Sequence, residues 1–408
     1  MQMLVITSAF PDHGDTLTVP LPFPQRGFYL GEVLSPACET ISNQPHLKCN
    51  IRQLDRLFSV LLDYIHKDEL ENAMKECARG RDRREIHRFF ISGIALLTVI
   101  AGGALTGSAS ELGHYSPGLI NIRDPVQPPP GSYYVQYHLY YESDTLKDKN
   151  GDSVDSITAG PVTVNIDVDV DSFVVVPTFI HVTGKKVLGA NYGFLVAQPF
   201  GNASFQAALE LQTFPGINAK VDESSFGLGD TYVRPLWLGW NLGRAEIGSS
   251  YGLYIPTGKY DFGDADNIGL GMWTHEFMVS GAYYFDEQRG TALTMTGFYE
   301  IHHNKEDVDI RPGSHFTLNY GVSQYLPLNE KFLSELGIVG FGQWQVTKDE
   351  GSDVIDKDAK DQVYGLGLQA GLIYLPWQGQ LTFKWIREFE AEDRFEGDFF
   401  TLSAAYTF

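Results

Sequence analysis

From Gly131 to its last residue the chain is written in two-residue steps. In the final segment Phe400, Leu402, Ala404, Tyr406 and Phe408 share one face, and Phe399, Thr401, Ser403, Ala405 and Thr407 take the other. Leu366, Leu368, Ala370, Leu372 and Tyr374 alternate in the same way with Gly365, Gly367, Gln369 and Gly371. So do Ile247, Ser249, Tyr251, Leu253 and Ile255 with Glu246, Gly248, Ser250 and Gly252, and Phe316, Leu318, Tyr320 and Val322 with Thr317, Asn319, Gly321 and Ser323. Successive strand residues point to opposite faces, so each segment carries one apolar face and one small or polar face. A helix would repeat its apolar positions at three to four residues instead.

Soluble sandwiches share this alternation, and the connections separate the two classes. Reading back from Phe408, short pieces (376–379, 327–331, 286–289, 241–244) alternate with long acidic ones (391–397, 347–361, 303–312, 257–269). Tight turns on one rim and long loops on the other are the pattern of outer-membrane barrels, with the tight turns facing the periplasm. Further back, Gly227–Trp240 reads as a strand after a loop at 213–226. Asn191–Leu211 reads as one long strand with a bulge at Pro199-Phe200-Gly201. Pro161–Val182 and Gly131–Glu142 complete the set. The expectation is an all-β fold: a closed, antiparallel, up-and-down transmembrane β-barrel over 131–408 with about 12 strands, an even number that keeps both barrel ends periplasmic.

The rest of the composition agrees. A net charge of −21 excludes nucleic acid as a partner, because phosphate neutralisation needs a basic surface. Mean hydropathy of −0.15 is too polar for a helical membrane protein, yet it suits a barrel in which only lipid-facing residues must be apolar. Residues 74–110 have the order of a secretory signal. Lys75, Arg79, Arg81, Arg83, Arg84 and Arg88 precede the apolar run Phe89–Leu105, and small residues follow, with cleavage placed after Ala109 or Ser110. Residues 1–73 read as an extension outside the barrel, with translation starting at or near Met74. Residues 111–130, ending in Pro128-Pro129-Pro130, read as a Pro-rich periplasmic lead-in. Cys38, Cys49 and Cys77 all precede the cleavage point, so the exported chain would carry no disulfide, zinc site or thiol nucleophile.

Several stretches carry a resemblance. They are GLGDTYVRPLWLGW (Gly227–Trp240), YGLYIPTGKYD (Tyr251–Asp261), NIGLGMWTHEF (Asn267–Phe277), Phe298–Leu326 and the closing LSAAYTF, with SPGLINIRDPVQPPPGSYY at the start. From about His114 to Phe408 the chain resembles the outer-membrane transporter family of the meta-pathway of phenol degradation. The resemblance implies a barrel in the outer membrane of a Gram-negative bacterium and passage of small hydrophobic or aromatic compounds. It brings no catalytic motif. The terminal aromatic of AYTF, with Tyr406 and Phe408 on one face, resembles the insertion signal read by the barrel-assembly machinery.

Candidate lumen and selectivity residues follow from alternation. In NIDVDVD, Asp167, Asp169 and Asp171 share one face and read as a lumenal acidic stripe, or as an ordinary solvated face. Asp230 and Arg234 share a face two steps apart and read as lumen pairing partners or as barrel-closing residues. Trp237 and Trp240 lie near a short turn, and Trp237 reads as part of an interfacial girdle, anchoring rather than stacking on a substrate. His302, His303 and His315 lie near an acidic loop, but adjacent histidines on a strand point opposite ways and do not share one ion, so no metal site is assigned. No Ser–His constellation stands out, so no enzyme and no cofactor are expected. The functional expectation is a passive channel for small hydrophobic or aromatic solutes, in contact with outer-membrane lipid and lipopolysaccharide. A non-conducting structural or binding barrel, filled by inward side chains or a loop, stands as the alternative.

Overall fold

The computed structural model describes residues 2–7, 16–21, 112–159, 162–212, 218–262, 267–354 and 356–408. The expected signal at 74–110 and most of residues 1–73 lie outside them. Two compact units are distinguished, Met1–Ala101 with Ser352–Ile355, and Gly102–Gly351 with Asp356–Phe408. Of the first unit's N-terminal segment the described part is an antiparallel pair, β1 (Gln2–Thr7) and β2 (Thr16–Leu21).

In the second unit β3 is Gly131–Ser143, β4 Ser156–Ala159, β5 Val162–Val187, β6 Ala190–Ala197, β7 Phe200–Leu211, β8 Asn218–Leu228 and β9 Thr231–Asn241. Then follow β10 (Ala245–Ile255), β11 (Thr274–Tyr284), β12 (Thr291–His302), β13 (His315–Pro327), β14 (Phe332–Gln345), β15 (Gln362–Tyr374), β16 (Gly379–Glu392) and β17 (Asp398–Thr407). Neighbours pair antiparallel from β9 through β17, β17 pairs β3, β3 pairs β5, β5 pairs β6, and β6 returns to β9. The ring is a closed barrel of 12 strands, as the alternation implied. Closure leaves no edge within the ring whose N–H and C=O groups would meet lipid unpaired.

Two boundaries differ from the sequence expectation. The segment read as one strand from Asn191 to Leu211 is two, β6 and β7, parted at Gln198-Pro199, where proline has no N–H to give the ladder. The stretch read as a loop at 213–226 contains most of β8. Together β5, β7 and β8 form a ribbon that runs past the ring: β3 ends opposite Val170, while β5 continues to Val164 paired with Leu211. Asp222, Glu223 and Ser224 of β8 are exposed in a row, so the apolar alternation of Phe226 and Leu228 does not extend back along the strand.

The outer face of the ring is a band of exposed apolar side chains, among them Val279, Met295, Ile338, Leu368 and Phe383. A soluble monomer rarely exposes so large a patch, whereas a barrel in the outer membrane presents it to lipid. Trp377, Tyr406 and Phe408 crowd the short-turn rim, where aromatic residues meet the bilayer interface. Among the described residues no helix is long and apolar enough to cross a membrane.

The same parity overturns one expectation. Asp167, Asp169 and Asp171 share their face of β5 with Phe173 and Phe179, each 41% exposed. The three aspartates therefore lie on the outer face, along the ribbon, and form no lumenal stripe. Placing charge on either part of that face should have opposite consequences. Leu368→Arg, mid-strand in the lipid band, is expected to cost about 2–4 kcal/mol in urea unfolding from vesicles. Asp169→Arg should stay within about 0.5 kcal/mol of the parent.

Candidate functional site

Residues 112–130 do not hang outside the barrel as a lead-in; they thread its lumen. His114 bonds Thr274 and Asp230 at the long-loop end, and Pro128 lines the mouth at the short-turn end. The segment is neither helix nor strand, so its buried backbone groups have no ladder and must find partners on the wall. Glu300 Oε1 accepts the N–H groups of His114 (3.1 Å) and Tyr115 (3.0 Å). Gln343 Nε2 donates to the Tyr115 carbonyl, and Lys384 Nζ donates to the carbonyls of Leu119 (3.0 Å) and Ile120 (2.7 Å). Gln369 Oε1 accepts Ile122 N–H, Asn121 Nδ2 donates to Ser403 Oγ, and Ser280 Oγ donates to the Pro125 carbonyl. Arg123 reaches Ser323, Glu335 and the carbonyls of Arg289 and Gly290, with its guanidinium 3.6 Å from the Tyr325 ring centroid.

Two apolar anchors complete the plug. Ile122 packs with Val339, Phe341 and Ile386. It occupies space opened by glycine, since a Cβ on Gly337 would lie 2.4 Å from Ile122 Cδ1. Tyr115 stacks on Phe298 at 4.0 Å beside Trp237 and Met278. Trp237 is therefore buried inside, not set in an outer girdle. The register shift in the ladders between β9 and its neighbours β6 and β10 displaces its parity from simple alternation.

The lumen wall is unequal. Inward residues of β11 to β17 are largely polar where the plug's backbone is held. On β3, β5 and β6 they are Val135, Tyr137, Val174, Val176, Leu195 and Ala197, packed with Leu119 of the plug. Among the described residues no hydrogen bond is recorded from the plug to β5 or β6. At the short-turn rim, Pro128, Tyr133, Val135, Ile373, Leu375 and Ala405 line most of a cavity of about 290 Å³.

Asp230 and Arg234, singled out together, both face inward but do not pair with one another. Asp230 Oδ1 accepts Gly258 N–H (2.9 Å), and Oδ2 accepts Leu270 N–H and faces His114 Nε2 (each 2.8 Å). Arg234 pairs with Glu276 at 3.2 Å and donates to Tyr232 Oη. Tyr232 and Tyr254 donate to the same Glu276 carboxylate. His302 and His303 point to opposite faces: His302 meets His315 inside, and His303 meets His275 outside. Among the described residues no cluster of histidine, cysteine and carboxylate has the geometry of a metal site. At the long-loop rim, burial pushes the Asp393 carboxyl up to about 6, with Asp356 and Asp148 adding to the shift.

His114, Glu276, Glu300, Asp361, Lys384 and Arg394 were not singled out from the sequence. Three of these had a readable signal, since Glu276, Glu300 and Lys384 are charges inside strands on the face opposite the lipid side chains; His114 lies in a stretch without periodicity and had none.

The profile of the family described as "Putative MetA-pathway of phenol degradation" matches residues 144–404. The chain belongs to this family. Among solved structures, the COG4313 outer membrane channel from Pseudomonas putida F1 is similar with a TM-score of 0.55 and 16% identity, covering 72% of this chain and all of that one. The β domain of a Bordetella autotransporter (TM-score 0.38, 10% identity, 69% of this chain and 100% of that chain) shares less. So does a Pseudomonas aeruginosa FadL homologue (0.31, 11%, 68% and 89%). No curated protein matches. This member of the phenol-degradation family is an outer-membrane β-barrel.

The buried lysine offers a direct probe of how the plug is held. Lys384→Met fills the same space but leaves two plug carbonyls without a donor, at a cost of about 1–3 kcal/mol each. Hydrogen exchange of the protein in vesicles should then quicken at residues 119–122, while strand amides of β13 to β16 keep their protection.

Proposed function

We propose that the protein is a passive outer-membrane channel for small hydrophobic or aromatic compounds, and that they move along the apolar side of the lumen between the plug and β3, β5 and β6. The observation that carries this reading is the wall's asymmetry. The plug is hydrogen-bonded mainly to the polar arc and, among the described residues, not to β5 or β6, so side chains facing those two strands can yield without unpairing its backbone. The path ends at the mouth cavity of about 290 Å³. An apolar cavity of about 150 Å³ already takes benzene, so one phenol-sized ring fits. Neutral solutes suit such a surface, because a carboxylate would lose its hydration there without a partner.

Several parts of the reading go with this. Residues 74–110 serve as the export signal, and Tyr406 and Phe408 present the terminal face to the barrel-assembly machinery. The long acidic loops and the outer aspartates stand among lipopolysaccharide. The barrel acts as a channel and not as an enzyme. Asp230 and Arg234 hold the rim and wall in place, and selectivity comes from Val176, Leu195 and their apolar neighbours.

The plug itself favours a second reading, a non-conducting binding barrel, and flux separates the two. Vesicles containing the protein should take up phenol-like neutral aromatics faster than aromatic acids or a sugar. Val176→Asp, which puts a charge on the apolar path, should lower aromatic uptake at least tenfold with the barrel still folded. No uptake of any solute by folded protein would leave the binding barrel.

A further inference from the structure

Five hydrogen bonds run in series across the long-loop end of the lumen. Asp230 Oδ2 meets His114 Nε2 at 2.8 Å, and His114 Nδ1 meets Thr274 Oγ1 at 2.8 Å. Thr274 Oγ1 meets His302 Nδ1 at 2.8 Å, His302 Nε2 meets His315 Nδ1 at 3.0 Å, and His315 Nε2 meets Asp361 Oδ1 at 2.8 Å. The wire joins the β8–β9 junction, the plug, β11, β12, β13 and the end of the loop before β15. It is closed to water: Thr274, His315 and Asp361 are 0–1% exposed and His302 is 3% exposed.

Its protons can be counted. Each bond needs one hydrogen between its two heavy atoms. Ionised carboxylates at the ends supply none, a neutral imidazole supplies one N–H, and a hydroxyl supplies one O–H. Three neutral histidines and Thr274 thus provide four hydrogens for five bonds. Among the described residues the Thr274 hydroxyl has no acceptor outside the wire.

We infer that this wire is a binding site for one additional proton, and that the bound proton latches the plug to the barrel wall through His114. With that proton present all five bonds form, whichever imidazole carries it. On His315, for example, both ring nitrogens donate, His302 Nδ1 donates to Thr274, Thr274 donates to His114 Nδ1, and His114 Nε2 donates to Asp230. Remove the proton and somewhere two lone pairs face each other. Add a second and either two N–H groups face each other, or Thr274 accepts from both neighbours and its own buried hydroxyl hydrogen is left without an acceptor. The complete latch therefore exists only across the pH range in which the wire holds one extra proton.

The nearby carboxylates favour a bound cation, against the desolvation that burial imposes on all three imidazoles. Asp230 and Asp361 close the ends, Glu276 from β11 and Glu300 from β12 face the histidines, and Glu388 from β16 stands behind Arg394. Against these five carboxylates stand Arg234 from β9, Lys305 from the β12–β13 loop and Arg394 from the β16–β17 loop. Tyr254 from β10 stacks on His114 at 4.6 Å. Glu300 Oε2 is buried with no hydrogen-bond partner recorded, and it lies toward His315: a Cβ on Gly113 would sit 2.5 Å from that oxygen and 3.2 Å from His315 Cγ. An imidazolium nearby offsets that charge.

Thr274→Val supplies the decisive comparison. Without the hydroxyl the wire falls into two pieces: His114 with Asp230, one bond, and His302–His315–Asp361, two bonds. Three neutral histidines provide three hydrogens for three bonds, so the additional proton is no longer required. The test uses the full chain in lipid vesicles, labelled with nitrogen-15 histidine and followed by solid-state NMR across pH. His114→Gln, His302→Gln and His315→Gln assign the ring signals. Hydrogen exchange of residues 114–122 is measured in parallel and corrected for intrinsic rates. In the parent, one imidazolium shared among the three rings is expected. Plug protection should be bell-shaped in pH, falling at least tenfold on either side. Thr274→Val should lose both the imidazolium signal and the pH dependence, and Thr274→Ser should restore both. Heat-modifiable gel mobility shows that each variant is folded. Three neutral rings or two charged ones across the protected range, an imidazolium that survives Thr274→Val in folded protein, or plug protection indifferent to its titration would each overturn the proposal.

Discussion

A backbone inside a bilayer has no water to bond, and that constraint shapes this molecule twice. On the outside it is met by ring closure, β17 to β3 and β6 to β9, with β5 long enough to serve β3 and β4 on one edge and β6 and β7 on the other. On the inside it returns in harder form, because the plug is irregular and makes no ladder. Each of its buried amides then needs a side chain of the right length on the facing strand. This accounts for Glu300, Gln343, Gln369 and Lys384 at their positions. Where the plug brings an apolar side chain instead, the wall recedes to glycine, as Gly321 and Gly337 do around Ile122.

Because most of the plug's bonds are gathered on one arc of the wall, the lumen is left with two kinds of surface. The polar arc fixes position, and β5 and β6 offer apolar contacts to Leu119 and its neighbours, while β3 between the arcs adds two tyrosine hydroxyl bonds, Tyr137 to Asp124 and Tyr133 to the Pro129 carbonyl. Dispersion contacts can be exchanged for those of a solute of similar size, whereas a buried hydrogen bond cannot be exchanged for contact with an aromatic ring without loss. A neutral aromatic therefore competes with plug side chains on the apolar arc and not with the plug's anchorage. Movement of such a solute needs small excursions of Leu119 and Ile120, not expulsion of residues 112–130.

What the sequence made legible follows the same division. Lipid-facing residues repeat every second position because nothing but parity decides which way they point, so the ring of 12 and the strands from β10 onward could be read directly, whereas β7 and β8 of the ribbon could not. Asp167, Asp169 and Asp171 were misplaced although the parity was present: they share odd positions with Phe173 and Phe179, and two aromatics so spaced on a barrel strand belong to the lipid face. Trp237 could not be placed by counting, because the irregularity in β9 resets the parity between Arg234 and Trp237. The plug was beyond reach for another reason. A Pro-rich stretch has no period, and its fold is written in its partners. Their trace was a set of charges at mid-strand on the non-lipid face, costly to bury unless something bonds them.

The three stretches that carry most of the family resemblance meet at one carboxylate. Asp230 belongs to the first, Gly258 to the second, and Gly269 and Leu270 to the third. Asp230 takes the N–H of Gly258 on one oxygen and that of Leu270 on the other. The approach is close enough that a Cβ on Gly258 would lie 2.8 Å from the Gly229 carbonyl carbon, and one on Gly269 would lie 2.9 Å from Asp230 Oδ1. Glycine at both positions is thus a condition of the loop reaching the carboxylate at all, and it explains why the stretches read as a unit although Asp230 and Leu270 are 40 residues apart. The same Asp230 oxygen that holds Leu270 also meets His114. The loop and the plug therefore share an anchor, and a change in the protons carried by the histidine wire acts on a rim already ordered by those glycines, so that the wire can release the plug while the barrel and its loop stay in place.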